Sequence, residues 1–409
     1  MTQRYDTYKD SGVQWLEEIP EHWGTRRAKY LLKLLTESTK RTRKIGLENI
    51  ESNTGKLILT ESIFDGDGVD FDCGDILYGK LRPYLNKVWL AEFEGNAVGD
   101  FYVYRAINDY LNSFAKYLLL SSCFVGISNA STYGAKMPRV SSQFIHSLHF
   151  PVPPLSEQRS IVSYLDAKCG MIDEWVSKKQ KEVEHLQELK QRVIADAVTR
   201  GLNPHVKMKA TNIPWIKEIP EHWEMSKISS HFRQRNEKVS DKDYPALSVS
   251  KQGVTPQLDN VTLSNAEGTS RKLVKVGDYA VNSRSDRKGS CGVSKYEGSV
   301  SLITIVLEPF NINGEYVHYL FRSNPWVEEF YRNGRGIVAD LWTTNYQMMK
   351  SMYMPIPPLS EQKQIVSYLD AKCSKIDKLI ANITKEIECI KEYKQRLISD
   401  VVTGQIKVC

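Results

Sequence analysis

No run of eighteen apolar residues occurs anywhere in the 409-residue chain, and Met1 opens no signal-peptide pattern. The sequence therefore offers neither a membrane-spanning helix nor an export signal, and its expected location is the cytoplasm. Cysteines are few and scattered: Cys73, Cys123, Cys169, Cys291, Cys373, Cys389 and Cys409 are odd in number and never closer than sixteen apart. That spacing offers no CxxC zinc site and no disulfide framework. The 8 histidines show no metal-ligand spacing, so no bound metal is expected. Charge of one sign is also missing. The formal net charge is only +6, residues 1–150 carry 18 Lys and Arg against 18 Asp and Glu, and residues 211–354 carry 18 against 16. A nucleic-acid reading cannot rest on net charge here.

Catalytic motifs are scarce too. The methyltransferase tetrapeptides Asn-Pro-Pro-Tyr and Asp-Pro-Pro-Tyr do not occur. Residues Gly74 to Lys80 satisfy GxxxxGK, but Leu81 follows without a hydroxyl for magnesium, Pro83 would disrupt the required helix, and the related stretch at Gly277 lacks the second Gly and the Lys. The match is read as coincidence. The acidic series Asp65, Asp67, Asp70, Asp72 and Asp75 raises the question of metal-assisted hydrolysis. Nothing in the later part of the chain repeats it, and it is read as a solvated turn region.

What is present is a duplication. Residues 151–199 return as 355–403 at a constant offset of 204, with 29 of 49 positions identical and no gap. A second repeat, WLEEIPEHW from Trp15 to Trp23, recurs as WIKEIPEHW from Trp215 to Trp223. The repeating unit is thus a short aromatic lead-in, a globular stretch of about 130 residues and a long helix. In the lead-in, His22 and His222 are expected to serve packing or capping.

Each long segment reads as one helix. Pro153-Pro154 and Pro357-Pro358 precede it, Ser156 and Ser360 are candidate N-caps followed by a Glu, and Gly201 with Pro204, and Gly404, terminate it. Roughly 43 residues make a rod of about 65 Å. Apolar residues recur in alternating steps of four and three: Leu165, Cys169, Ile172, Val176, Val183, Leu186 and Val193 in the first, Leu369, Cys373, Ile376, Ile380, Ile383, Ile387, Ile390 and Leu397 in the second. This is a coiled-coil seam. Each helix needs a partner, the other copy is the nearest, and two copies related by a pseudo-two-fold axis would pack antiparallel. The geometry that follows is a ruler with a globular domain at either end. Lys190 and Lys394 interrupt the same seam position and are expected to snorkel to solvent, with contact to a partner subunit the lesser option.

The globular stretches diverge almost completely. Gly74-Asp75 and Gly277-Asp278, then Glu94-Gly95 and Glu297-Gly298, survive as turns into alternating runs at Val98 to Tyr104 and Ser301 to Leu307. These predict antiparallel strands, with helices near Leu111 to Ser122 and Glu315 to Asn333. The expected class is α+β: domain 1–150, long helix 151–203, domain 204–354, long helix 355–409.

Basic residues in predicted loops are interleaved with aromatic and amide groups. The first copy offers Lys40, Arg41, Arg43 and Lys44, then Lys80, Arg82, Tyr84, Asn86 and Lys87, then Lys136 and Arg139. The second offers Asn282, Arg284, Ser285, Arg287 and Lys288, then Arg332, Arg335 and Trp342. Arg and Lys suit phosphate and guanine edges and Asn suits adenine, so these are the candidate DNA contacts. Each cluster taken alone is an ordinary solvated surface. Their duplication at the ends of a rigid spacer is what raises the functional reading.

The repeated PxPPLSEQxxIVxYLD helix, the WxxEIPEHW lead-in and the GDILYGKLRPYLNKV stretch together resemble the specificity subunit of type I restriction-modification systems, over essentially the whole chain. The resemblance implies two target recognition domains joined by an antiparallel coiled coil, a chain without catalysis of its own, and a double-stranded, asymmetric, split DNA target. It also implies two modification subunits carrying S-adenosylmethionine, and restriction subunits that use ATP and Mg. Where the first copy reads ILYGKLRPYL the second reads YAVNSRSDRKG. The competing readings are a coiled-coil adaptor that binds two different proteins, favoured by the balanced charge of 1–150, and a self-sufficient nuclease or methyltransferase, disfavoured by the missing catalytic constellation.

Overall fold

The computed structural model describes residues 3–39, 41–58, 60–62, 64–240, 242–257, 271–335 and 342–408. It divides into two compact units, Met1–Gln180 with Ile383–Cys409, and Lys181–Asn382. The sequence boundaries fall near the helix ends, whereas the compact units divide the helices in mid-length. The reason is packing: each globular stretch buries itself against half of each helix. In the first unit Ile161, Leu165 and Cys169 share a core with Leu397, Ile398, Val401 and Val402. In the second, Ile194, Ala197 and Val198 share a core with Ile365, Leu369 and Cys373.

The two diverged stretches have one topology. The first unit contains an antiparallel sheet ordered Leu32–Leu35, Phe101–Ala106, Ile76–Gly79, Val88–Leu90. The second repeats it as Phe232–Arg235, Thr304–Pro309, Tyr279–Asn282, Cys291–Val293. In both stretches the strand after the lead-in hairpin pairs with the last strand, Gly24–Arg27 with His149–Val152 and Glu224–Lys227 with Tyr353–Ile356. The helix expected near Leu111 to Ser122 is Asn112–Leu120, followed by an unexpected second helix Ser122–Ala130, and the one expected over Glu315 to Asn333 is broken at Ser323 into Gly314–Arg322 and Asn324–Arg332. The second sheets differ. Lys44–Ile45 runs parallel to Gly95–Ala97, while its counterpart Lys238–Val239 pairs antiparallel with Arg271–Val274, and the hairpin Leu247–Ser250 with Gly253–Pro256 stands where the first unit has the short antiparallel bridge of Ile50 with Leu57.

The long helices span Leu155–Arg200 and Leu359–Val402. Ser156 and Ser360 are not the caps. Each helix starts one residue earlier, and the carbonyls of Pro154 and Pro358 accept the first helical bonds from Gln158 and Gln362, both at 2.9 Å. Proline suits this position because it has no N–H to leave unsatisfied. Gly201 and Gly404 end the helices with φ of +76° and +80°. A Cβ on Gly404 would sit 2.4 Å from Pro20 Cδ, so this close approach also demands glycine.

Within each unit the helix segments run antiparallel. In the first, Trp23 touches both Glu157 at the start of one helix and Gly404 beyond the end of the other, while Asp173 meets Lys394 further along. In the second, Gly201 lies against Glu361 while Lys190 meets Asp377. Leu165, Val176, Leu369, Ile376, Ile383, Ile387 and Leu397 of the seam are buried, and Ile172, Val183, Leu186, Val193, Ile380 and Ile390 are partly so. The two seam lysines do not snorkel. Lys394 Nζ donates to Asp173 Oδ1 at 2.6 Å with its side chain only 7% exposed, and Lys190 Nζ donates to both Asp377 oxygens at 2.6 and 2.7 Å. The Lys394 ammonium cannot reach water and needs its carboxylate partner, whereas Lys190 pairs at a more open place, 28% exposed.

Candidate nucleic-acid interface

In both units the turn after a central strand of the four-stranded sheet is pinned to a segment that follows the helix pair. The first unit forms bridges Leu81 to Arg139 and Tyr133 to Arg139, and Arg82 N donates to Pro138 O and Val140 N to Lys80 O. The second forms bridges Arg284 to Thr343 and Arg335 to Thr343, with Ser285 N donating to Trp342 O and Thr344 N to Ser283 O. Bond for bond this is the same construction, carrying different side chains.

The structure thereby brings Lys80, Arg82 and Tyr84 together with Lys136 and Arg139. Arg82, Tyr84 and Lys136 are exposed. Asp100 neutralises Arg139 through two bonds of 3.0 and 2.8 Å and lies 3.8 Å from Lys80 Nζ. Tyr133 and Met137, 59% and 47% exposed, belong to the same patch. Sequence reading missed them because an isolated aromatic or Met in a loop carries no signal of its own. In the second unit the turn carries Asn282, Arg284, Ser285, Arg287 and Lys288 beside Arg332, Arg335 and Trp342. Arg284 and Arg287 both pair with Asp286, Lys288 with Glu328 and Arg332 with Glu329, while Arg335 is exposed. A pocket of about 730 Å³ opens here, walled by Trp215, Tyr331 and Trp342 with Lys288 and Arg332 at its edge.

Three comparisons bear on this geometry. The profile described as the type I restriction modification DNA specificity domain matches residues 37–185 and again 220–389. The chain belongs to this family. A putative type I restriction enzyme specificity subunit, MjaX, of Methanocaldococcus jannaschii is 25% identical over 98% of this chain and 98% of its own length. The EcoBI specificity subunit of Escherichia coli is 22% identical over 83% of this chain and 73% of its length. Among solved structures, one describing complex assembly and conformational transition of the type I R-M system superposes with TM-score 0.71 at 18% identity, over 94% of this chain and 98% of the other. The HsdS subunit of Thermoanaerobacter tengcongensis superposes with TM-score 0.50 at 17% identity, over 95% and 98%. These two likenesses show the shared fold.

Several candidate contacts of the two specificity domains do other work. Asn86 is buried and donates to Asn53 Oδ1 at 3.1 Å and Leu120 O at 2.9 Å. Lys87 spends its ammonium on the carbonyls of Leu47 and Ile50, both at 2.8 Å, and burial lowers its pKa although Glu48 opposes this. These two are structural because the turn folds back under the patch. Arg41 bonds Asp72 and the carbonyl of Phe71, Arg43 lies over the Phe93 ring, and Lys44 bonds Gly66 O at 2.8 Å. That group braces the smaller sheet, and no described contact joins it to the Arg82 patch. Lys40 lies outside the described residues.

The dismissed motifs are also explained. Residues Ile76–Gly79 of the GxxxxGK match form a central strand, so no phosphate loop exists there. Asp72 and Asp75 bind Arg105, and Asp70 binds Asn96. Among the described residues no group of three His, Cys, Asp or Glu could hold a metal ion, and no helix is long and apolar enough to cross a membrane.

The repeated helix motif owes its identity to anchoring. Glu157 accepts from Trp23 Nε1 and Tyr5 and pairs with His22 at 2.6 Å, and Glu361 accepts from Trp223 Nε1 and pairs with His222 at 2.8 Å. Gln158 and Gln362 hold the backbone ahead of the helix pairs at Leu111 and Asn313. Asp166 and Asp370 accept from Tyr117 and Tyr319. The signal for all six was their retention in both copies.

Proposed function

We propose that this chain is the DNA-recognition subunit of a type I restriction-modification complex, each globular domain reading one half of an asymmetric, split duplex target. The observation that carries the proposal is the pinned turn, built by the same backbone bonds in both domains yet carrying Leu81-Arg82-Pro83-Tyr84 in one and Arg284-Ser285-Asp286-Arg287 in the other. One scaffold with two sets of polar side chains suits two unlike half-sites. The length of the long helices sets the unread spacer between them. The chain itself contributes recognition and no catalysis. S-adenosylmethionine and methyl transfer belong to two modification subunits, and ATP and Mg to restriction subunits.

Support for two equivalent partners comes from apolar positions that stand out from the helix pairs at the same places of the repeat. The first unit offers Tyr393, with Tyr164 and Trp175 half-buried, and the second offers Tyr368, Leu379 and Leu189. Tyr393, Leu379 and Leu189 are each about half exposed, at 51%, 51% and 48%.

The test is duplex binding by the purified chain with its modification partner, titrated against salt. Phosphate contact releases counterions, so affinity should fall steeply and linearly in log units as salt rises. Binding that ignores salt and target sequence would favour the adaptor reading.

A further inference from the structure

We propose that Arg82 is the specificity-determining residue of the first domain, reading a guanine edge in its half-site; this rests on the DNA-recognition reading above. Among the polar groups of the patch it is singled out by three observations.

The first is charge. Asp100 holds Arg139 through its Nε and one terminal nitrogen and sits near Lys80, whose Nζ also lies 5.1 Å from the Tyr102 ring centre. Among the described residues nothing holds the Arg82 guanidinium, and it is exposed. Lys136 is exposed too, but an ammonium is a point charge, whereas a guanidinium fork matches guanine O6 and N7 together.

The second is backbone. Arg82 has φ +50° and precedes Pro83, a combination of left-handed geometry and pre-proline crowding that a side-chain-bearing residue adopts only at a cost. A phosphate contact would not require it, since a long flexible cation reaches phosphate from many backbones.

The third is immobilisation. Arg82 N donates to Pro138 O at 2.7 Å and its carbonyl accepts from Leu85 N at 2.8 Å. Four residues on, Asn86 is also left-handed, at φ +48°, and buried. Its amide is clasped by Leu120 O and Asn53 Oδ1, and its carbonyl accepts from Asn53 N at 3.0 Å. Asn53 in turn accepts from Gln395 Nε2 of the second long helix at 2.9 Å. The turn that carries Arg82 is therefore fixed at both ends before DNA arrives, which lowers the ordering cost of a directional contact. In the second domain the equivalent position is Ser285, so the two half-sites are not read alike.

The experiment is methylated-base mapping in cells that carry the full chain with its modification partner, comparing wild type with Arg82→Lys and Arg82→Gln. Lys keeps the charge and loses the fork. Both variants should relax one guanine position in one half of the split motif, with discrimination there falling about tenfold or more, while the other half and the spacer stay unchanged. Thermal melting of the purified complexes confirms that each variant is folded, and either variant alone suffices. An unchanged motif in a folded variant overturns the proposal. So does a uniform fall in methylation at the original sites with no new sites, which is the signature of a phosphate contact. A wild-type chain on which no motif depends would instead remove the DNA-recognition reading itself.

Discussion

Replacing Asp173 by Ala should destabilise the first unit far more than replacing Asp377 by Ala destabilises the second, although each removes the carboxylate partner of the lysine at the equivalent seam position. The difference lies in solvent access. Lys394 has a side chain 7% exposed, while Lys190 is 28% exposed and its partner Asp377 is 54% exposed. Asp173→Ala leaves a buried ammonium unpaired, a change that costs about 3–5 kcal/mol. Asp377→Ala leaves Lys190 free to reach water, and an exposed pair is worth about 0–1 kcal/mol. For a unit of about 200 residues, at about 2–4 °C per kcal/mol, the first change should lower the melting temperature by roughly 6–20 °C and the second by only a few degrees. Removing both charges with Asp173→Ala and Lys394→Met should recover much of the loss. The assay is calorimetry of the full chain, with hydrogen exchange near residue 394 locating the effect. Equal costs for the two aspartate variants, or no recovery in the double variant, would refute the reasoning.

The same pair sets a pH dependence. Burial raises the Asp173 pKa, but hydrogen bonds from Lys394 and Lys56 outweigh it and lower the value below the ordinary 3.8. A depressed carboxylate stabilises fully above its unfolded pKa and loses that contribution as pH falls through the folded one, so acid unfolding of Asp173→Asn should be flatter below pH about 4. Asn86→Ala should cost about 1–3 kcal/mol by leaving Leu120 O and Asn53 without their donor; because Asn86 is buried, the salt slope of DNA binding should not change. Deleting one heptad from each long helix removes about 10 Å, roughly three base pairs of spacer, and methylation mapping should show a shortened gap between unchanged half-sites.

The fold was legible where the chain repeats itself. Two long helices, their seam and their glycine ends follow from periodicity and from Gly201 and Gly404, because local rules dominate there. The seam lysines were misread because a sequence does not show that Asp173 and Asp377 stand opposite them. Strands and helices in the diverged stretches were visible only at shared turns such as Gly74-Asp75 and Gly277-Asp278. The different pairing of Lys44–Ile45 and Lys238–Val239 depends on long-range partners that no local pattern fixes. In the candidate interface, residue type picked out segments that the structure brings side by side, Lys80 to Tyr84 with Lys136 to Arg139 and Asn282 to Lys288 with Arg332 to Trp342. It could not separate exposed Arg82 from buried Asn86 four positions later, because that depends on how the turn folds under itself.

The central claim, that each globular domain reads its own half of a split target, is tested most directly by replacing residues 204–354 with the corresponding stretch of another family member and mapping methylated bases beside the intact chain. Exactly one half of the motif should change, with the other half and the spacer preserved. Change in both halves, or in neither, with a folded chain and an active modification partner, would contradict the account.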